Sequence, residues 1–210
     1  MTHRMFLDVF SDNSFQTNCW MIGADGTDDA VVVDPGFSPA RVHSMLEAEG
    51  KRPVAVLATH GHFDHVGSAA EFCGDDLAFY IHEADALALT DPLAWGASEG
   101  TPAVPVKDVR SMADGDELTF AGFAIQVLHT PGHTPGSVCL RTDGWVLSGD
   151  LVFAHTIGRS DFPNSSPADM RVSLGRFLEL PDALDVLPGH GPRTTVGRER
   201  TGNPYLLDLG

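Results

Sequence analysis

The chain has 210 residues, of which 42% are hydrophobic and 20% are charged, as is typical of a soluble globular protein with a substantial core. The net charge of −16 argues against a nucleic-acid-binding surface, and no apolar run is long enough to span a membrane. We expect a single domain over residues 1–210, with no nucleic-acid or membrane partner. The first ten residues lack a signal-peptide pattern, and the widely spaced Cys19, Cys73 and Cys139 predict buried free thiols, so a reducing cytoplasm is the expected location.

The first third of the chain combines strands with one well-marked helix. Ser38 is a suitable N-cap and Pro39 suits the first helical position, which predicts a helix that ends near residue 49. Gly50 then stops this helix. The apolar and β-branched stretches predict four strands, at residues 5–10, 16–23, 30–33 and 54–58.

A dense group of polar residues follows the fourth strand directly. Residues 59–65 read Thr-His-Gly-His-Phe-Asp-His and contain His60, His62, Asp64 and His65. Imidazole and carboxylate groups are ligands for zinc and also for iron or manganese. A chance polar loop is a poor explanation, because burying such groups without partners is costly. The position just past a strand's carboxyl end is also where α/β sheets place their sites.

The middle of the chain is less regular. We predict a helix at residues 66–72, a strand at 77–81 and a short helix at 83–89. Residues 90–106 contain three prolines and two glycines without a clear period, which indicates a long loop of the kind that is often functional. Trp95 in this loop either lines a substrate mouth or anchors the loop by packing.

The second half returns to strands. Asp143-Gly144 is a strong hairpin signal between two of them. A helix is predicted at residues 168–178. Strands are predicted at residues 117–120, 123–129, 138–141, 145–147 and 184–187. Strands and helices in both halves predict two sheets covered by helices, which is a four-layer α/β sandwich.

Three of these later strands repeat the pattern of apolar strand, sharp turn and ligand-type residue. They lead to His133, Asp150 and His190. With the group at 59–65, seven candidate ligands follow four strand ends. One tetrahedral metal needs at most four ligands, whereas seven suit two metals if one carboxylate bridges them.

The motif Thr-His-x-His-x-Asp-His, together with the later histidines and Asp150, resembles the metallo-β-lactamase superfamily. The segments 149–153 and 158–161 are similar to those of short, bacterial-type members of the glyoxalase II group, the hydroxyacylglutathione hydrolases. The resemblance implies the αββα fold. It also implies the sharing of ligands, with one metal held by His60, His62 and His133, a second held by Asp64, His65 and His190, and both bridged by Asp150.

The resemblance further implies a dinuclear metal-dependent hydrolase that acts on a small-molecule thioester such as S-lactoylglutathione. A metal-bound hydroxide would attack the carbonyl, since metal binding lowers the pKa of water to about 7. We expect Asp64 to orient this nucleophile in addition to its ligand role. Arg159 is the candidate for substrate contact, or else a structural partner of Asp161. We expect two divalent ions, with zinc first and iron or manganese as alternatives.

Other interpretations stay open on the motifs alone. A persulfide dioxygenase of similar sequence would use one iron, held by His60, His133 and Asp150. A lactonase would direct the same hydroxide at a lactone. Asp150 argues against antibiotic hydrolysis, because metallo-β-lactamases proper usually lack the bridging aspartate. The thiol carrier and the oligomeric state stay open, and a late group of arginines could bind carboxylates or simply be solvated: Arg193, Arg198 and Arg200.

Overall fold

The computed structural model describes residues 5–11, 15–74, 77–91, 95, 105–106, 108–120 and 122–209. Most of the loop predicted at 90–106 lies outside the described residues, although Trp95 is among them. No helix in the described part of the chain is long and apolar enough to cross a membrane.

The first sheet comes from the N-terminal half of the chain. Its strands, in their order across the sheet, are β1 (Met5–Ser11), β2 (Asn18–Ala24), β3 (Asp29–Val33), β4 (Arg52–Leu57), β5 (Phe79–His82) and β6 (Val109–Met112). The pairs β1–β2 and β2–β3 are antiparallel, whereas β3–β4, β4–β5 and β5–β6 are parallel. Each parallel pair requires a crossover connection that returns the chain to the same end of the sheet. Strand β6 was not predicted, since Met112 is its only buried residue and its sequence carries no apolar run.

The second sheet comes from the C-terminal half. Its strands, in order across the sheet, are β14 (Thr194–Thr195), β13 (Asp185–Pro188), β10 (Trp145–Gly149), β9 (Val138–Arg141), β8 (Phe123–His129) and β7 (Glu117–Phe120). Among the described strands of this sheet, β10 and β13 pair in parallel and the other pairs are antiparallel. A separate small hairpin contains β11 (Val152–Phe153) and β12 (Thr156–Ile157).

The helices of the described residues are α1 (Pro39–Ala48), α2 (Phe63–Val66), α3 (Leu87–Thr90), α4 (Pro167–Leu178), α5 (Val196–Gly202) and α6 (Pro204–Leu207). Helices α1 and α4 lie within one residue of their predicted bounds, whereas the other two predicted helices are more broken than expected. The stretches predicted at 66–72 and 83–89 each divide into one α-helical and one 3-10 turn. Helices α5 and α6 follow His190 and were not predicted, because Gly, Asn and Pro interrupt their sequence.

Successive side chains of a strand point to opposite faces of its sheet, and the buried apolar ones form three hydrophobic clusters. In β2, Trp20 and Ile22 face the second sheet, while Cys19 and Met21 face α1. On the far side, Leu174 and Phe177 of α4 pack on the outer face of the second sheet. The layers are therefore helix, sheet, sheet and helix, and the predicted αββα sandwich is confirmed.

All three cysteines are free. Cys19 and Cys139 are buried, as predicted, while Cys73 is half-buried. Burial raises the pKa of the Cys139 thiol to about 12, so this thiol is protonated and unreactive at neutral pH.

Candidate metal centre

Four strand ends meet at one edge of the sandwich. Strands β8 and β10 are both antiparallel to β9, and β13 is parallel to β10, so all three end at the same edge of the second sheet. The end of β4 joins them there, because the amide of Val138 donates to the carbonyl of Thr59 at 2.9 Å. The residues after these four ends therefore converge although they are distant in sequence.

The seven candidate ligands lie in this convergence. Their donor atoms form overlapping sets within 4.8 Å, namely His60, His62 and His133, then Asp64, His65 and His190, and also His60, His65 and Asp150. Asp150 reaches both main sets, since its Oδ2 lies 3.3 Å from Nε2 of His133 and 3.4 Å from Nε2 of His190. The structure thus brings together every ligand residue that the sequence suggested.

Most of the imidazoles are oriented by a partner on the side away from the cluster. Nδ1 of His133 lies 2.7 Å from the carbonyl of Arg159, and Nδ1 of His190 lies 3.1 Å from the carbonyl of Phe15. A ring nitrogen that donates to a carbonyl leaves the other nitrogen as a lone-pair donor. These rings therefore turn their Nε2 atoms toward the cluster.

The donor atoms fit divalent metal ions. Nε2 of His133 and Oδ1 of Asp150 are buried and have no hydrogen-bond partner among the described residues, which is costly unless a cation lies between them. Neighbouring donors of a tetrahedral ion with bonds of about 2.0–2.1 Å are about 3.3–3.4 Å apart. Nε2 of His190 lies at this distance from Oδ2 of both Asp64 and Asp150.

The electrostatics of the cluster also favour cations. Burial by itself would lower the pKa of His65, but Asp34, Asp64 and Asp150 raise it to about 9. Burial likewise opposes the charge on His190, whose pKa the same two ligand carboxylates, Asp150 and Asp64, raise to about 10. The site thus attracts positive charge, and bound metal ions would displace these protons.

Two buried carboxylates outside the predicted set of ligands bind the turns that carry the candidate ligands. Asp34 accepts from both the amide and the hydroxyl of Thr59 at 2.7 Å, and its Oδ2 lies 3.0 Å from Nδ1 of His65. Asp34 directly follows the apolar strand β3 and precedes the turn Pro35-Gly36, so a search for polar residues at strand ends could have found it. Asp85 accepts from the amides of Gly61 and Gly136, and nothing in its local sequence indicated this.

A cavity of about 830 Å³ opens beside the cluster. Trp95 and Arg159 both line it. The guanidinium of Arg159 also forms two hydrogen bonds with Asp161, at 2.8 and 3.0 Å. Arg159 therefore both lines the cavity and pairs with Asp161. Arg200 is bound to Asp182 and is not among the described residues that line the cavity.

The sequence model of the metallo-β-lactamase superfamily matches residues 12–190. The chain belongs to the metallo-β-lactamase superfamily. An uncharacterised protein of Mycobacterium leprae is 39% identical over 98% of this chain and all of its own length. The hydroxyacylglutathione hydrolase GloC of Haemophilus influenzae is 30% identical over 96% of this chain and 98% of its own. The chain is accordingly a metal-dependent hydrolase of this superfamily.

Solved structures of superfamily members superpose closely. The B3 metallo-β-lactamase BLEG-1 has a TM-score of 0.87 and 32% identity, with coverage of 96% of this chain and 99% of its own. The di-iron-bound form of TTHA1623 has a TM-score of 0.79 and 36% identity, with coverage of 95% and 100%. These superfamily structures share the αββα architecture described above.

Proposed function

We propose that the protein is a dinuclear metal-dependent thioester hydrolase, with S-lactoylglutathione as the reference substrate. The observation that carries the proposal is the convergence of seven imidazole and carboxylate groups into adjacent donor sets. Similarity to a hydroxyacylglutathione hydrolase supports a thioester substrate, and similarity to a di-iron-bound structure supports a pair of metal ions. Divalent ions, when bound, polarise a carbonyl and lower the pKa of water, which supplies a nucleophile near neutral pH.

The donor sets define how two ions would be held. His60, His62 and His133 would hold one, while Asp64, His65 and His190 would hold the other. Asp150 would bridge them, since it lies within 3.5 Å of atoms in both sets. Zinc is our first expectation, and iron or manganese would suit the same ligands.

Residues at the cavity would position the substrate and the attacking water. The hydroxyl of Thr17 donates to Oδ2 of Asp64 at 2.8 Å, which fixes this carboxylate at the cavity wall, where it can orient a water molecule. Arg159 would contact the polar part of the substrate. The leaving thiol has a pKa of about 8.5, so its thiolate departs without a strong general acid.

The decisive experiment is a substrate panel on protein whose metal content has been measured. The panel contains S-lactoylglutathione, a lactone, a β-lactam and glutathione persulfide with an oxygen electrode. We expect two metal ions per chain and thioester cleavage. One iron per chain with oxygen uptake would instead identify a persulfide dioxygenase, and cleavage confined to the β-lactam would identify a lactamase.

The bridging role of Asp150 can be tested by Asp150→Ala. We expect the variant to lose metal and to lose about a hundredfold or more in kcat/KM, because even outer partners of metal ligands are worth about 10–100-fold. Asp143→Ala is the control, since Asp143 is exposed in a hairpin turn. Full thioesterase activity of Asp150→Ala with one metal per chain would contradict the dinuclear scheme.

A further inference from the structure

The cavity beside the candidate metal centre is mostly apolar away from the ligands. Aromatic side chains supply a large part of its wall, namely Phe15, Phe63, Trp95, Phe153 and Phe162. A binding site for a polar, multiply charged molecule would instead present several polar groups to satisfy it.

Three of these aromatic residues lie directly against candidate ligands. The ring of Phe162 lies edge-on to His62 and His133, with centroids 5.4 and 5.8 Å away. Phe153 is in the same relation to His190 at 5.8 Å, and Phe15 accepts a hydrogen bond from His190 through its carbonyl. An apolar group bound among these rings would therefore lie next to the reacting carbonyl.

Two of the rings are also unusually exposed. Phe15 is 50% exposed and Phe63 is 40% exposed, and their rings meet edge to face at 5.0 Å. Phe37 lies 5.7 Å from Phe15 and 6.3 Å from Phe63, so the three rings form one cluster. A fixed pair of exposed aromatic rings at the rim of a cavity gains free energy when an apolar group covers it.

The charges around the cavity do not match a ligand with several carboxylates. Arg159 is the only lysine or arginine among the described residues that line it, and Asp161 already binds its guanidinium. Glutathione carries two carboxylates at neutral pH, and the chain itself carries a net charge of −16.

We propose that the protein selects thioesters that place an uncharged, apolar group in this aromatic cavity. The inference rests on the proposed thioesterase function and names its substrate class. The apolar group belongs to the acyl chain or to the thiol, and both present the same chemistry to the rings.

Two substrate series separate these sources. In the first, acetyl, butyryl and hexanoyl groups are attached to N-acetylcysteamine, and in the second an acetyl group is attached to neutral alkyl thiols of increasing length. We expect kcat/KM to rise about two- to fourfold per methylene in one series, because each buried methylene contributes about this factor. We also expect hexanoylglutathione to be cleaved more slowly than hexanoyl-N-acetylcysteamine.

Phe15→Ala tests the aromatic wall, because it removes the ring but keeps the carbonyl that His190 contacts. We expect the ratio of kcat/KM for the longest to the shortest substrate to fall about fivefold. Phe63→Ala should act in the same direction, and metal content is measured for both variants. Tyr205→Ala is the matched control, since Tyr205 is also 50% exposed but does not line the cavity.

The outcomes distinguish this inference from the function on which it rests. If protein with two metals cleaves no thioester, the proposed function fails. If it cleaves thioesters without dependence on chain length in either series, or prefers the glutathione conjugates, only the apolar selection is overturned. The selection is also overturned if Phe15→Ala and Phe63→Ala keep their metal and leave the ratio at the wild-type value.

Discussion

Asp85 links two of the turns that carry candidate ligands. Its buried carboxylate accepts from the amide of Gly61 at 2.8 Å, the hydroxyl of Thr134 at 2.6 Å and the amide of Gly136 at 2.6 Å. Burial raises the pKa of Asp85 although these three bonds act in the opposite direction. One carboxylate thus fixes the turn of His60 and His62 against the turn of His133.

Asp85→Asn should loosen the link between the two turns, because the NH2 group of the amide would face one of the two backbone amides, which is itself a donor. We expect a loss of about 2–3 kcal/mol in the free energy of unfolding and about tenfold weaker metal binding. Urea unfolding and metal titration would measure these effects.

Asp116→Asn provides the comparison, since the carboxylate of Asp116 accepts from the amide of Ala113 near the surface. We expect it to change stability by less than about 1 kcal/mol. Equal metal affinity in Asp85→Asn and Asp116→Asn would rule out a supporting role for Asp85.

At the scale of elements, helix α4 holds the loop that carries His133. Its N-cap Ser166 donates through its amide to Gly132 at 2.8 Å, Ser173 donates to Pro131 at 2.6 Å, and Arg176 donates to His129 at 2.6 Å. These helix positions lie on one face, because they are spaced by seven and three residues. The helix that covers the second sheet therefore also positions part of the site.

Gly132 makes this close packing possible. It has a φ of +138°, and a Cβ atom at this position would lie 2.4 Å from the backbone of Met170 in α4. We expect Gly132→Ala to displace the His133 loop, to reduce the free energy of unfolding by about 2–4 kcal/mol and to weaken metal binding.

Gly175→Ala is an internal control with the opposite expected sign. Gly175 lies inside α4, and a Cβ atom added there would meet no described atom within 4 Å outside the helix's own backbone. Alanine should therefore stabilise the helix by about 0.5–1 kcal/mol. Denaturant unfolding of both variants would test the pair. A Gly132→Ala protein with wild-type stability and metal content would show that the contact with α4 is not required.

At the scale of the whole molecule, folding buries the imidazole and carboxylate groups of the candidate metal centre. His60 and His65 are fully buried, and the side chains of Asp64 and Asp150 are only 13% and 10% exposed. Desolvating such groups without a cation is unfavourable, so metal binding and folding should be coupled.

Chelation should accordingly lower the thermal stability of the whole protein. Free metal at a thousand times its Kd contributes about 4 kcal/mol, which corresponds to a shift of about 10 °C for a chain of this size. We expect a chelator to lower the unfolding midpoint by this order and added metal to restore it. Asp150→Ala should respond much less, and an unchanged midpoint in the chelated wild-type protein would exclude this coupling.

The amino-acid sequence by itself determined the sandwich and the candidate ligands. Apolar strands, sharp turns and ligand-type residues are local patterns, so they are readable within a few positions of the chain. The same locality explains why broken helices and the strand Val109–Met112 were missed, since their formation depends on neighbours elsewhere in the fold.

Only the tertiary structure decided which groups support the site and what its cavity presents to a substrate. Asp85 reaches Gly136 across 51 positions, and Phe15 contacts His190 across 175. Such pairs meet only when two sheets and their helices pack together, and no periodicity in the sequence encodes them. The candidate ligands could therefore be identified from short stretches of sequence. The residues that hold them in place, and the apolar cavity beside them, exist only in the packed molecule.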